Sequence, residues 1–135
     1  MTEKQIVKVR DVMKTNFDMV DGMTTVKNAL EKMEHIETKC LIVNKRHEND
    51  EYGLLLISDI ARKVLADNRS AERVNVYEIM AKPVLTVSPE MNIRYCARLF
   101  QQFDLSRAPV VDDDKIIGII SFTDMVLKGL NKLNK

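Results

Sequence analysis

Pro109-Val110-Val111-Asp112-Asp113-Asp114-Lys115-Ile116-Ile117-Gly118-Ile119-Ile120 is the stretch on which the fold turns. Two runs rich in β-branched residues flank an acidic turn, the pattern of an antiparallel hairpin with buried strands. The same arrangement occurs earlier as Leu41-Ile42-Val43, a longer polar turn from Asn44 to Tyr52, and a second run from Gly53 to Ile57. Outward from each hairpin the match continues. Val26, Ala29/Leu30, Met33 and Ile36 form a helix-period set that returns 67 residues later as Ile93, Cys96/Ala97, Phe100 and Phe103, and Val12-Met13 returns as Ile79-Met80. Each hairpin leads into a last helix, Asp59 to Leu65 or Asp124 to Leu130, with Ser58 or Thr123 at the expected N-cap. The chain is therefore a strand–helix–strand–strand–helix unit written twice.

This predicts an α/β (α+β) fold of two tandem β-α-β-β-α repeats, residues 8–66 and 75–134, joined by a polar linker over residues 67–74. A unit of about 60 residues buries only about 60% of its unfolded surface and is marginal alone. The two copies are expected to pack sheet to sheet about a pseudo-two-fold axis, which would leave two equivalent clefts for a ligand.

Composition narrows the function. In 135 residues, 21 Lys and Arg stand against 20 Asp and Glu, a net charge of +1 that lacks the broad basic field of a nucleic-acid binder. Cys40 and Cys96 are too few for a disulfide framework or a four-thiolate metal site, and with the Met residues they fit apolar packing faces. His35 and His47 lack ligand spacing with either cysteine, so no metal site is expected. The N-terminus has no apolar signal core, and no run approaches the roughly 18 apolar residues that cross a bilayer. A cytoplasmic protein with no membrane partner is the expectation. No P-loop, G-x-G-x-x-G, G-x-S-x-G, H-E-x-x-H or C-x-x-C run occurs, and nothing groups a nucleophile, base and orienting residue, so no catalytic residue is assigned and no enzyme is expected.

Asp11-Val12-Met13 and Glu78-Ile79-Met80 head the two copies, Arg107-Ala108-Pro109-Val110-Val111-Asp112 lies mid-way, and Gly118-Ile119-Ile120-Ser121-Phe122-Thr123-Asp124 lies near the end. In order, spacing and duplication these resemble the cystathionine-β-synthase-type domain, or CBS domain, whose tandem pairs are called Bateman modules. The resemblance implies a regulatory module binding AMP, ADP, ATP or S-adenosylmethionine between the repeats, with no cofactor required. It places Ser121, Phe122, Thr123 and Asp124 at the ligand, the acid on the ribose diol and Ser121 at ribose or phosphate. Leu105, Ser106 and Arg107 fall where base and phosphate are contacted, and Lys82, Pro83 and Val84 where the base is walled. In copy one the counterpart is Gly53-Leu54-Leu55-Leu56-Ile57-Ser58-Asp59. Asp59 remains, but Leu56 replaces the hydroxyl, a loss worth about 0.5–1.5 kcal/mol, so the first site is expected to be the weaker.

Plainer readings stand beside these. Asp59 and Asp124 fall in a first helical turn, where the helix dipole favours acids by about 0.3–1 kcal/mol. Ser121 and Asp124 have capping-box spacing. Arg107, and Lys39 as its counterpart, could be charges guarding a strand edge. The sequence thus predicts a stand-alone regulatory CBS pair, a homodimer acting on a partner in trans; the alternative is a structural homodimerisation module with degenerate clefts.

Overall fold

The structure is a computed structural model and describes residues 5–133. Two compact units divide the chain. A central unit runs from Phe17 to Val84; a flanking unit combines the chain up to Asn16 with the chain from Leu85 onward.

In the central unit β1 (Met19–Val20) runs parallel to β2 (Cys40–Val43), which pairs antiparallel with β3 (Gly53–Leu56). All four residues of β2 are buried, as expected of an unbroken apolar strand with no polar face. Leu41, Val43 and Leu55 pack with Val26 and Ala29 of α2 (Val26–Glu31) and with Val64. α2 begins where the Thr25 hydroxyl accepts the Asn28 N–H at 3.2 Å, a side-chain cap for an otherwise orphaned donor. After β3 comes α3 (Ile57–Ile60), which widens into a π-helical turn over Ala61–Leu65. Residues 66–70 are exposed, and α4 (Val76–Ile79) completes the core.

In the flanking unit α1 (Val9–Val12) and α5 (Ile93–Gln102) pack on β4 (Arg107–Asp112) and β5 (Lys115–Ser121) around the fully buried Phe100. Both turn residues between the strands, Asp113 and Asp114, have positive φ, 51° and 62°, the geometry of a type I′ hairpin; Asp tolerates this better than most non-glycine residues. The register shifts between Val110 and Val111, a bulge in the hairpin. α6 (Phe122–Asp124) follows, then a π-helical turn over Met125–Gly129 and α7 (Leu130–Leu133). Among the described residues, the first strand of copy one has a single parallel bridge as its counterpart here, Val87 to Val110.

The heads of the copies exchange places. Lys14 bridges Ile119 antiparallel, exchanging hydrogen bonds of 2.8 and 2.9 Å, so the first head lies on the second hairpin. Ala81 bridges Leu54 in the same manner, with 2.9 and 2.8 Å, so the second head lies on the first hairpin.

Two expectations are corrected. The N-caps are Leu56 and Ser121, not Ser58 and Thr123. The strand turns into the helix without an intervening loop, which makes Asp59 and Asp124 third helical residues able to reach back to the cap.

Candidate functional site

The strand-to-helix junction of each unit presents a carboxylate in the same place. In the flanking unit the Ser121 hydroxyl accepts the Asp124 N–H at 3.2 Å and donates to Asp124 Oδ2 at 3.0 Å. Both residues are buried, Asp124 being only 3% exposed. Its other oxygen holds an ammonium: Lys14 Nζ lies 2.6 Å from Oδ1, and Lys128 Nζ lies 3.5 Å from it. Lys14 arrives because its backbone is bridged to β5, and Lys128 because it is one helical turn beyond Asp124.

Of the predicted site residues, the structure gathers Ser106, Arg107, Ser121, Phe122 and Asp124. Arg107 pairs with Ser121 across the hairpin, the Phe122 N–H donates to the Ser106 carbonyl at 3.1 Å, and the Arg107 Nε–H donates to Ser106 Oγ at 3.4 Å. Phe122 stands edge-on to Phe100, with ring centroids 5.4 Å apart. Leu105 packs on the core, and Thr123 is exposed.

Lys82, Pro83, Val84 and Asp59 belong to the central unit. The Lys82 ammonium lies 2.8 Å from Asp50 in the long β2–β3 turn. That hydrogen bond, with a second from the Arg46 N–H, holds the Asp50 carboxyl well below the usual carboxylate range. A depressed folded pKa gives stability that is complete above the unfolded value of about 4 and fades as pH falls below it. Asp50→Asn is therefore expected to melt below the wild type at pH 7, with the gap narrowing from pH 4 to pH 2 in a thermal melt series. Lys82 also lines a cavity of about 320 Å³ with Gly22, Val43, Asn44, Tyr77 and Met80; Asp59 is not among its lining residues.

Asp59 is half-exposed, and among the described residues its carboxylate accepts one hydrogen bond, from the Leu56 N–H at 3.3 Å. The difference from Asp124 has identifiable causes. Ala81 occupies the bridging position that Lys14 holds in the flanking unit, and Leu56 occupies that of Ser121. The register also corrects one counterpart: Cys40 faces Leu56 as Arg107 faces Ser121, so Cys40, not Lys39, matches Arg107. Lys39 instead matches Ser106, since its carbonyl accepts the Ile57 N–H at 3.0 Å as that of Ser106 accepts Phe122. One detail is shared: Lys63 donates to the Ile79 carbonyl and Lys128 to that of Val12.

Sequence reasoning did not single out Lys14 or Lys128. Lys128 was findable, four residues beyond Asp124 on one helix; Lys14 is 110 residues from its partner and left no local signal. Cys96 is buried, which pushes its thiol up to about 11, and Cys40 is buried too. Among the described residues no cluster of His, Cys, Asp and Glu could hold a metal, and no helix is long and apolar enough to cross a membrane.

Residues 9–66 and 76–130 each match the CBS domain family. This chain belongs to the CBS domain family. Two CBS domains thus cover most of it, and its fold is that of CBS-pair proteins. An uncharacterized protein of Methanopyrus kandleri is 31% identical over 113 residues, 81% of the chain and 57% of that protein. The chain spans about three fifths of the length of such curated relatives. Among solved structures, the hexameric CBS-CP12 protein from bloom-forming cyanobacteria is 39% identical, with a TM-score of 0.86 over 91% of this chain and 71% of that one. The CBS domain pair of protein MJ0100, solved in complex with 5′-methylthioadenosine and S-adenosyl-L-methionine, is 23% identical, with a TM-score of 0.76 over 95% of this chain and 99% of that one.

Proposed function

We propose that this CBS pair is a regulatory, non-catalytic module that binds an adenosyl ligand, AMP, ADP, ATP or S-adenosylmethionine, at Asp59 and Asp124. Occupancy is passed on as a change of conformation or assembly. The observation that carries this reading is the pair of matched carboxylates, each the third residue of the helix that follows a hairpin. A carboxylate there suits a vicinal diol: its two oxygens accept both hydroxyl protons, each a charge-assisted bond worth about 1.5–3 kcal/mol. Asp59 has an oxygen to offer as it stands; Asp124 must first release Lys14. The adenosyl complex of the structurally similar MJ0100 pair supports the same ligand chemistry.

Thermal shift with each of the four ligands tests the reading, since a ligand at 100 times its dissociation constant stabilises by about 2.7 kcal/mol. Asp59→Asn is expected to weaken binding at the central unit by about tenfold or more, the worth of one charge-assisted bond, while its melting temperature stays near that of wild type. Four ligands that leave the wild-type melt unmoved at millimolar concentration would sink the proposal.

A second reading, a homodimerisation module with degenerate clefts, is favoured by one feature. Val126, Leu127 and Leu130 are 52%, 65% and 48% exposed along one helical stretch, and the similar CBS-CP12 protein is a hexamer. Sedimentation with and without ligand separates the two readings. A ligand-independent oligomer with no melt shift favours the second. A regulated protein in trans and a cytoplasmic location belong to the proposal as well.

A further inference from the structure

The two carboxylates differ in what touches them. Asp124 is held by Lys14 at 2.6 Å, with Lys128 at 3.5 Å and Arg107 opposite Ser121 on the hairpin. The matching positions around Asp59 are Ala81, Lys63 and Cys40. Across the five matched positions the flanking unit has Lys14, Ser106, Arg107, Asp124 and Lys128, three cations and one acid, net +2. The central unit has Ala81, Lys39, Cys40, Asp59 and Lys63, two cations and one acid, net +1.

A diol can bond Asp124 only when the Lys14 ammonium leaves its carboxylate. Lys14 is itself largely buried, with its side chain 23% exposed, so an ammonium displaced without a new partner is costly. An uncharged adenosyl compound supplies two hydroxyls and strands that cation. A ligand with a phosphate re-pairs it, because the flexible four-carbon stem can carry the point charge from carboxylate to phosphate. Nothing at Ala81 imposes this condition on Asp59.

Resting on the adenosyl reading, we infer that Lys14 sets the charge class of the ligand at Asp124. It selects adenosine compounds bearing a 5′ phosphate and rejects those lacking an anionic tail, while the site at Asp59 makes no such distinction. The test is calorimetric titration of AMP and of 5′-methylthioadenosine into Asp59→Asn protein, in which the weakened central site is resolved from the Asp124 site by its lower affinity. AMP is expected to bind at least tenfold more tightly. Adding Lys14→Ala is expected to reduce that ratio by at least tenfold, through weaker AMP and tighter methylthioadenosine binding. Lys14→Gln keeps a donor for Asp124 without the charge and gives the same readout should Lys14→Ala fail to fold. AMP bound by folded Lys14→Gln protein with an unchanged ratio overturns this inference and leaves the adenosyl reading standing. If neither compound binds the wild type, the adenosyl reading fails and this inference falls with it.

Discussion

Phe100→Ala is expected to lower the folding free energy by about 3–5 kcal/mol, the usual cost of emptying a buried aromatic site. Phe100 is 0% exposed and sits among Val9, Val12, Cys96, Val110 and Ile120 in the flanking core. It also braces Phe122, the first residue of α6, through the edge-on contact. A domain of this size has about 5–15 kcal/mol in all, so the variant should lie near its unfolding threshold at 37 °C. Urea titration should show a lower midpoint with an unchanged slope. Phe103→Ala is the control: this residue lies just past the same helix and is 54% exposed, and a change within about 0.5 kcal/mol is expected. Comparable losses in both variants would contradict the packing described.

The second large effect is expected at Gly118. An added Cβ would lie 2.6 Å from the Lys14 carbonyl oxygen and 2.8 Å from Met13 Sδ. The sulfur can move; the carbonyl accepts the Ile119 N–H at 2.9 Å and cannot shift without breaking the bridge. Gly118→Ala is thus expected to cost about 1–3 kcal/mol, toward the upper end of the range for overpacking, and to displace Lys14 from Asp124. Gly53 is the matched comparison. There the close atom is Met80 Sδ at 2.7 Å, while the backbone oxygen of Ala81 lies at 3.3 Å. Because a thioether side chain re-packs readily, Gly53→Ala should cost less. Equal losses in urea titrations of the two variants would mean that backbone approach is not what glycine serves at 118.

Much of the fold was legible because it is written in local patterns. The apolar runs at Leu41–Val43 and Pro109–Val111 form strands, and the periodic set from Ile93 is a ten-residue helix. The spacing of Ser121 and Asp124 is realised as a side-chain cap, the hydroxyl accepting the Asp124 N–H and donating its own proton to the carboxylate, so the plain reading of that pair and the functional one occupy the same atoms. What could not be read rests on backbone pairing between distant segments. The bridge of Lys14 to Ile119 uses only main-chain groups, which carry no side-chain signature, yet it delivers the ammonium to Asp124. The match of Cys40 to Arg107, by contrast, was within reach: the two lie 67 residues apart, the offset of the helix sets, and setting Lys39 against Arg107 put likeness of charge ahead of that spacing, which the strand register follows. The π-helical turns announce themselves in neither composition nor period.

The crossed heads have a consequence for dissecting the protein. A gene fragment encoding one linear copy would encode neither compact body. Each product would lack the segment bridged to its hairpin and carry instead the one meant for its sibling. Two such fragments would be complementary halves of an interlaced whole, and the connecting stretch over residues 66–70 holds covalently what main-chain bridges already tie together by reciprocal exchange.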